Sequence, residues 1–194
     1  FFTYTPLPES QLKTDIQAMA RANGFDENRI FVSNTSERNK RLSAVVLGFG
    51  KSARITVSDN LLNQGTPREV KTAIALAMGH SVMNHALKGV LMFSVIIFAG
   101  FAFAHYGFLL LVSLFGDSWQ VRGQDDPAGL PLFIALGTLF FLFASPLSNW
   151  ISRHQDKQAD IFALDTARQP DALATLVLKQ SPYVKLEPGE IEEI

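Results

Sequence analysis

The sequence predicts a mostly α protein with a small β-sheet, of the α+β class, interrupted by a two-helix transmembrane hairpin. Three observations carry that expectation. Two long stretches, Gly89 to Gly116 and Pro127 to Ser152, contain no Asp, Glu, Lys or Arg and are rich in Phe, Leu, Ile and Val. Ahead of them, three short apolar and β-branched runs are separated by turn-forming residues. On either side of the uncharged stretches lie segments with amphipathic helical spacing.

At 194 residues the chain is long enough for one good core with a small appendage. A net charge of −1 and the lack of a Lys/Arg stripe exclude an electrostatic case for nucleic acid. With no cysteine, neither a disulfide framework nor a thiolate metal site is possible. The chain opens on Phe1-Phe2, without an initiator Met or a signal-peptide pattern, and closes on Gly189-Glu190-Ile191-Glu192-Glu193-Ile194, so a piece of a longer protein is expected.

The elements follow in order. Ser10 to Asn23 place Leu12, Ile16 and Met19 on one helical face, and Gly24 supplies a stop. Arg29-Ile30-Phe31-Val32-Ser33, Ala44-Val45-Val46-Leu47 and Arg54-Ile55-Thr56-Val57 read as strands, with turns at Asn34 to Lys40 and Gly48-Phe49-Gly50. Thr66-Pro67-Arg68-Glu69 opens a second helix: Thr66 caps, Pro67 suits the first helical position and Glu69 completes a capping box. That helix is expected to carry Val70, Ile74, Met78, His80 and His85 before Lys88-Gly89 leads into the first span.

A helix needs about 20 apolar residues to cross a bilayer, and both uncharged stretches exceed that. Buried helices of a soluble core show polar punctuation every three or four residues instead. Spans are expected at about 90–115 and 130–150, joined by an acidic loop at 117–126. Two crossings return the chain to its starting side, so the His80 helix and a helix from Arg153 to Ala167 become neighbours. Lys71, Lys88, Arg153, Lys157 and Arg168 flank the outer ends of the hairpin, which puts that side in the cytoplasm. Trp119 and Trp150 are expected as interfacial aromatics. Three segments result: 1–88, the hairpin 89–152, and 153–194.

Chemistry centres on Leu76-Ala77-Met78-Gly79-His80. Two His four apart on a helix lie within about 40° of each other and can share one metal, as in His-Glu-x-x-His. The Glu beside the first His takes a proton from metal-bound water. Here only the second His position, His80, is filled. Leu76 has no lone pair to offer and Ala77 accepts no proton.

Around that gap the frame is familiar. Asp59-Asn60-Leu61-Leu62, then Met78-Gly79-His80 with Asn84-His85 and Lys88-Gly89, resembles the membrane zinc metallopeptidases of the CaaX prenyl-protein endopeptidase and heat-shock membrane protease type. Ser152-Arg153-x-x-Asp156-x-x-Ala159-Asp160-x-Phe162-Ala163 is similar to the family's second motif, Ser-Arg-x-x-Glu-x-x-Ala-Asp-x-Phe-Ala. Pro6-Leu7-Pro8-Glu9 and Gly48-Phe49-Gly50-Lys51-Ser52 fit as well. The likeness runs in order along nearly the whole chain.

The resemblance implies a zincin-like metallopeptidase domain split by the hairpin. His80 matches the second zinc ligand and Asp156 the position of the ligating Glu. Asp160 matches a carboxylate that orients a ligand His. Ser43-Ala44-Val45 matches the edge strand of the substrate groove, where the family typically has Asn-Ala. The departures fall where the chemistry happens: Leu76 replaces a ligand, Ala77 replaces the base, and Asp156 is one methylene, about 1.3 Å, shorter than Glu against a ligand tolerance of about 0.2 Å. Loss of the general base alone costs about 10²–10⁴ in rate.

Other histidines offer little help. Five residues beyond His80 on a helix, His85 is turned by about 140° and faces away. His105 lies about 24 Å along the first span from Gly89, near the far interface. His154, next to Arg153, is the one substitute ligand that could approach the site.

The resulting expectation is an integral-membrane, zinc metalloendopeptidase-like protein that is inactive or impaired, with zinc weak or absent, still able to hold a peptide or prenylated protein. Two alternatives differ in class: an active metallopeptidase with rearranged ligands that recruits His154, and a non-catalytic membrane-anchored interaction domain.

Overall fold

The computed structural model describes residues 3–37, 40–48, 50–121 and 123–180, the side chains of Lys51 and Gln180 excepted. Phe1-Phe2, Phe49 of the expected turn, Arg122 of the acidic loop and the closing Gly189 to Ile194 lie outside the described residues. The protein is mostly helical with one small mixed sheet, as its sequence predicts. It divides into two compact units, Phe1–Met83 with Asp156–Ile194, and Asn84–Gln155.

In the first unit the sheet has four strands in the order β1-β2-β4-β3. They are β1 (Tyr4–Pro6), β2 (Ile30–Ser33), β3 (Ala44–Leu47) and β4 (Arg54–Ser58). β2 runs parallel to β4, with Ile30 opposite Ile55 and Val32 opposite Val57, and the other two pairs are antiparallel. The sequence leads one to expect three strands. β1 escapes that reading because it has three residues and ends on a proline, which only an edge strand tolerates. The Arg54 guanidinium lies 4.6 Å from the centre of the Tyr4 ring, a cation–π contact that ties this edge to β4.

Helix α1 (Gln11–Ala22) starts where Ser10 Oγ accepts from Lys13 N at 3.2 Å, and Gly24 beyond its end takes φ +80°, the left-handed turn glycine permits. Its Ile16 is wholly buried. A short helix, α2 (Asp59–Gln64), follows β4 directly, with Ser58 Oγ capping Leu61 N. Asp59 accepts from Ser36 N at 2.9 Å and from the Ser36 hydroxyl, which fixes the 3-10 turn Thr35–Glu37. That hydroxyl contact is the main cause that holds the Asp59 carboxyl below its ordinary range.

Helix α3 (Pro67–Val82) begins with the expected capping box: Thr66 Oγ1 accepts from Glu69 N at 3.3 Å, and Glu69 Oε2 accepts from Thr66 N at 2.7 Å. Such a cap is worth about 1 kcal/mol. Val70, Ile74 and Met78 are buried against Ile16, Ile55, Val57 and Leu61. Glu69 is itself buried and receives Lys179 Nζ from α6 (Pro170–Gln180) at 2.8 Å. The lysine, with the Thr66 amide, pulls the Glu69 carboxyl down to about 2.

One expectation needs correcting here. α3 stops at Val82, and Asn84 turns left-handed at φ 54°. His85 therefore opens a new helix, α4 (His85–Trp119), where it is buried, rather than lying on the flank of the His80 helix. A 140° rotation computed along one continuous helix does not apply to it.

The second unit holds α4 and the first part of α5 (Leu130–Ala167), which continues into the first unit beyond Gln155. Both helices are long and apolar enough to cross a membrane. Within the second unit Phe108 and Phe133 stack at 4.2 Å, backed by Val121 and Leu136. A side chain at Gly129 would meet the Phe108 ring at 2.7 Å, so the loop closes only with glycine there. Most other large apolar side chains point outward; Phe98, Phe101 and Phe143 are each more than 70% exposed. Helices forming the core of a soluble domain bury such surface, so this pattern suits a lipid environment. Pro146 sits inside α5, where it removes one helical hydrogen bond, and Ser145 Oγ donates to Phe141 O at 2.6 Å beside it. His105, expected near the far interface, hydrogen-bonds through Nδ1 with Gln124 of the loop at 2.9 Å.

Candidate functional site

On α3 the buried face (Val70, Ile74, Met78) fixes the helix against the sheet, which rotates Ala73, Leu76, Ala77 and His80 onto a common flank. On α5 the wholly buried Ala159 and Ala163 set the rotation of Asp156 and Asp160. The two helices meet at a close point. A Cβ added to Gly79 would lie 3.0–3.2 Å from the Phe162 side chain, so glycine is what lets α5 come this near.

The result brings His80 and Asp156 face to face, with Nε2 and Oδ1 4.0 Å apart. That is an ion-pair distance and too long for a hydrogen bond. Asp160 lies four residues, about one helical turn, beyond Asp156 on α5. Burial, and then the Asp156 charge, push its carboxyl up, while His80 pulls it back. Ser43, Ala44 and Val45 lie at the sheet edge: Ser43 immediately precedes β3, and among the described residues β3 pairs with β4 alone. His154 stacks on Trp150 at 6.1 Å within the second unit.

Between β3 and α3 lies an open groove of about 750 Å³. Leu42, Ala73, Leu76 and Ala77 form its floor, His80 stands at one side, and Lys40, Arg41 and Lys179 bring positive charge to its rim. Sequence reasoning missed the rim residues. Lys179 belongs to a helix not anticipated, and no local pattern marks Lys40-Arg41 as facing a cavity.

A tetrahedral zinc with bonds of about 2.0–2.2 Å holds two donors about 3.4 Å apart. His80 and Asp156 are 4.0 Å apart. Leu76 occupies the first ligand position of the motif, and among the described residues no group of three His, Asp or Glu side chains is arranged to hold a metal. The residues present therefore do not fit a resident zinc ion. What remains is a peptide-sized groove with an apolar floor, an imidazole–carboxylate pair and a basic rim.

Comparison with known proteins gives this arrangement its context. The model of peptidase family M48 matches residues 6–184. A CAAX prenyl protease 1 homolog from Oryza sativa subsp. japonica is 30% identical over 93% of this chain and 42% of its own length. CAAX prenyl protease 1 from Saccharomyces cerevisiae is 27% identical over 97% of this chain and 45% of its own, and a metalloprotease from Bacillus subtilis, YhfN, 28% over 87% and 40%. Among solved structures, that of S. mikatae Ste24p superposes with a TM-score of 0.61 at 25% identity, covering 92% of this chain and 46% of that one. The chain thus spans less than half the length of each of these relatives.

Proposed function

The chain belongs to peptidase family M48, and on that premise we propose that it is part of an integral-membrane, CaaX-protease-like protein that grips peptide without normal hydrolysis. The observation that supports this is local. His80 and Asp156 still face each other at 4.0 Å, while the two positions that should complete the chemistry, Leu76 and Ala77, line the same groove with hydrocarbon. The scaffold that positions substrate is kept; the ligand and the base are not.

Within this reading, His80 and Asp156 are what is left of the zinc site, Asp160 orients His80, and Ser43, Ala44 and Val45 provide the edge on which an extended peptide pairs. The ligand is a peptide or the tail of a prenylated protein. The basic residues flanking the hairpin favour a cytoplasmic position for the two motif helices.

The test is restoration of Leu76→His, Ala77→Glu and Asp156→Glu together in the complete protein, assayed for bound zinc and for cleavage of a prenylated peptide. The unaltered protein is expected to hold zinc far below one equivalent and to cleave at least about 10²–10⁴-fold more slowly than the restored one. Stoichiometric zinc with undiminished hydrolysis in the unaltered protein overturns the proposal.

A further inference from the structure

We propose that Leu76 is the specificity-determining residue of the groove: it seats one bulky apolar side chain of an extended peptide, at the position where the family motif has a metal ligand. The inference rests on the peptide-binding reading above and deepens it by naming what the groove selects.

The edge of β3 sets which side chains reach the groove. Ser58 N donates to Ser43 O at 2.9 Å, and Val45 lies opposite Thr56, so the alternation of an antiparallel pair turns these residues' backbone groups toward β4. The amides and carbonyls of Ala44 and Val46 then point to the open side, where an added strand finds both donor and acceptor. Ala44 lies opposite the wholly buried Val57, on the face of the sheet that packs with α3. Val45 belongs to the other face and is 46% exposed. A strand added to β3 continues both faces, so every second side chain of it comes down on the flank of α3 and the others point away.

Leu76 is what such a side chain meets. Leu42, Ala73 and Ala77 share the floor but are only 6%, 4% and 9% exposed, so Leu76 alone of the four keeps free hydrocarbon. Ala73 and Ala77 stop at Cβ and leave room beside it for a branched or long side chain. His80, one turn on, ends the apolar stretch, since its Nε2 stands 4.0 Å from Asp156 Oδ1. The seat is therefore a single position. An apolar side chain gains there by covering hydrocarbon, whereas an amide or a charged group would lose water without a partner.

Charge supplies no competing selection. Lys179 Nζ is held by Glu69 at 2.7 Å, Arg41 is already engaged, and the Asp156 carboxylate stands against His80. Groups of both signs are present and most are occupied, which leaves hydrocarbon contact as the discriminating interaction. Position 76 cannot serve two uses: an imidazole there offers a lone pair to a metal and takes away the apolar seat.

The experiment uses the full chain in nanodiscs and measures binding of fluorescent, C-amidated heptapeptides Thr-Gln-Thr-X-Thr-Gln-Thr, with binding to empty nanodiscs subtracted. With X as Leu the peptide is expected to bind about tenfold more tightly than with X as Gln. In Leu76→Gln that ratio should fall to about one, while Leu76→Met, which keeps volume and apolarity, should preserve it. A photo-leucine at X reads the seat without any substitution in the protein, and its crosslinks should fall on the stretch from Ala73 to His80 of α3. Two further peptides, N-methylated at X or at the residue after it, test the strand pairing. Successive amides of an extended chain point to opposite sides, so only one of the two can face β3 and one peptide alone should retain binding. Equal binding of the Leu and Gln peptides overturns the seat and leaves the peptide groove in place. A Leu preference that survives Leu76→Gln in a protein of unchanged thermal melt, crosslinks confined to other segments, or N-methylated peptides that behave alike overturn it as well. Failure of every peptide to bind defeats the groove reading, and this inference with it.

Discussion

In the first unit Ile16, Ile74, Met78 and Leu176 are almost wholly shielded, while in the second unit Phe98, Phe101, Phe143 and Val95 are among the most exposed large apolar side chains of the described residues. Both sets are large apolar side chains, yet one is packed inside and the other faces outward. Water drives the first set inward, where burial of a large aliphatic side chain is worth about 1.5–3 kcal/mol. For the second set the hydrocarbon of a bilayer is as favourable as a protein interior, and helix contact relies on close fit. Gly100 and Gly107 show that fit, since an added Cβ at either would come to 3.0 Å from Phe140 or Leu136. The contrast teaches that an apolar count says little until the face on which the residues lie is known.

The largest expected effect tests that contrast directly. Ile74→Ala should cost about 2–5 kcal/mol in unfolding of the purified protein, because it opens a cavity in a packed core. Phe98→Ala, equally drastic on paper, should stay within about 0.5 kcal/mol in detergent, as an outward-facing site with nothing packed on it. Similar losses at both positions would erase the distinction between the units.

Smaller by a step is Gly79→Ala. The new methyl meets Phe162 at 3.0–3.2 Å, and both sit where α3 and α5 close. Overpacking of this kind costs about 1–3 kcal/mol, and the movement should separate His80 from Asp156. Thermal unfolding reads the first effect. In the protein with restored motif residues, a loss of zinc affinity reads the second.

Thr66→Ala removes the α3 cap and should cost about 1 kcal/mol by the same unfolding measurement, with no change expected in the hairpin.

The last expectation concerns acid. Glu69 titrates near 2 in the folded protein against an ordinary value of 4.5. A depressed carboxylate contributes stability that is fully present above its unfolded value and drains as pH falls through 4.5 toward 2. Lys179→Met removes the main cause of the depression, so the folded value rises and the acid contribution of Glu69 shrinks. Unfolding followed from pH 7 to pH 2 should then show a shallower dependence in the variant; an unchanged slope would dismiss the ion pair as a stabilising element.

Legibility differed by region. The capping box at Thr66 to Glu69, the Ser10 helix start, β2 to β4 and both apolar helices can be read locally, because each depends on neighbours within a few residues. β1 and α2 are too short to carry a period, and α6 has no distinctive start beyond Pro170. The break at Met83–Asn84 has no Gly or Pro to announce it, so one helix is expected where the chain makes two. At the site, the motif positions stand out in sequence, but Lys40, Arg41 and Lys179 do not. Their role depends on a groove whose walls come from segments more than a hundred residues apart.

Sequence alone determined the class of the protein: mostly helical, a small sheet, two bilayer-length apolar helices, and a catalytic frame with Leu76 and Ala77 where a ligand and a base belong. Those are matters of composition and local spacing, and they hold for the chain before it folds. Only the tertiary structure decided that His80 and Asp156 lie 4.0 Å apart, that Gly79 makes room for Phe162, and that the groove has an apolar floor under a basic rim. Distances between side chains distant in sequence come from how the buried faces of α3 and α5 pack, and packing is a property of all the contacts together.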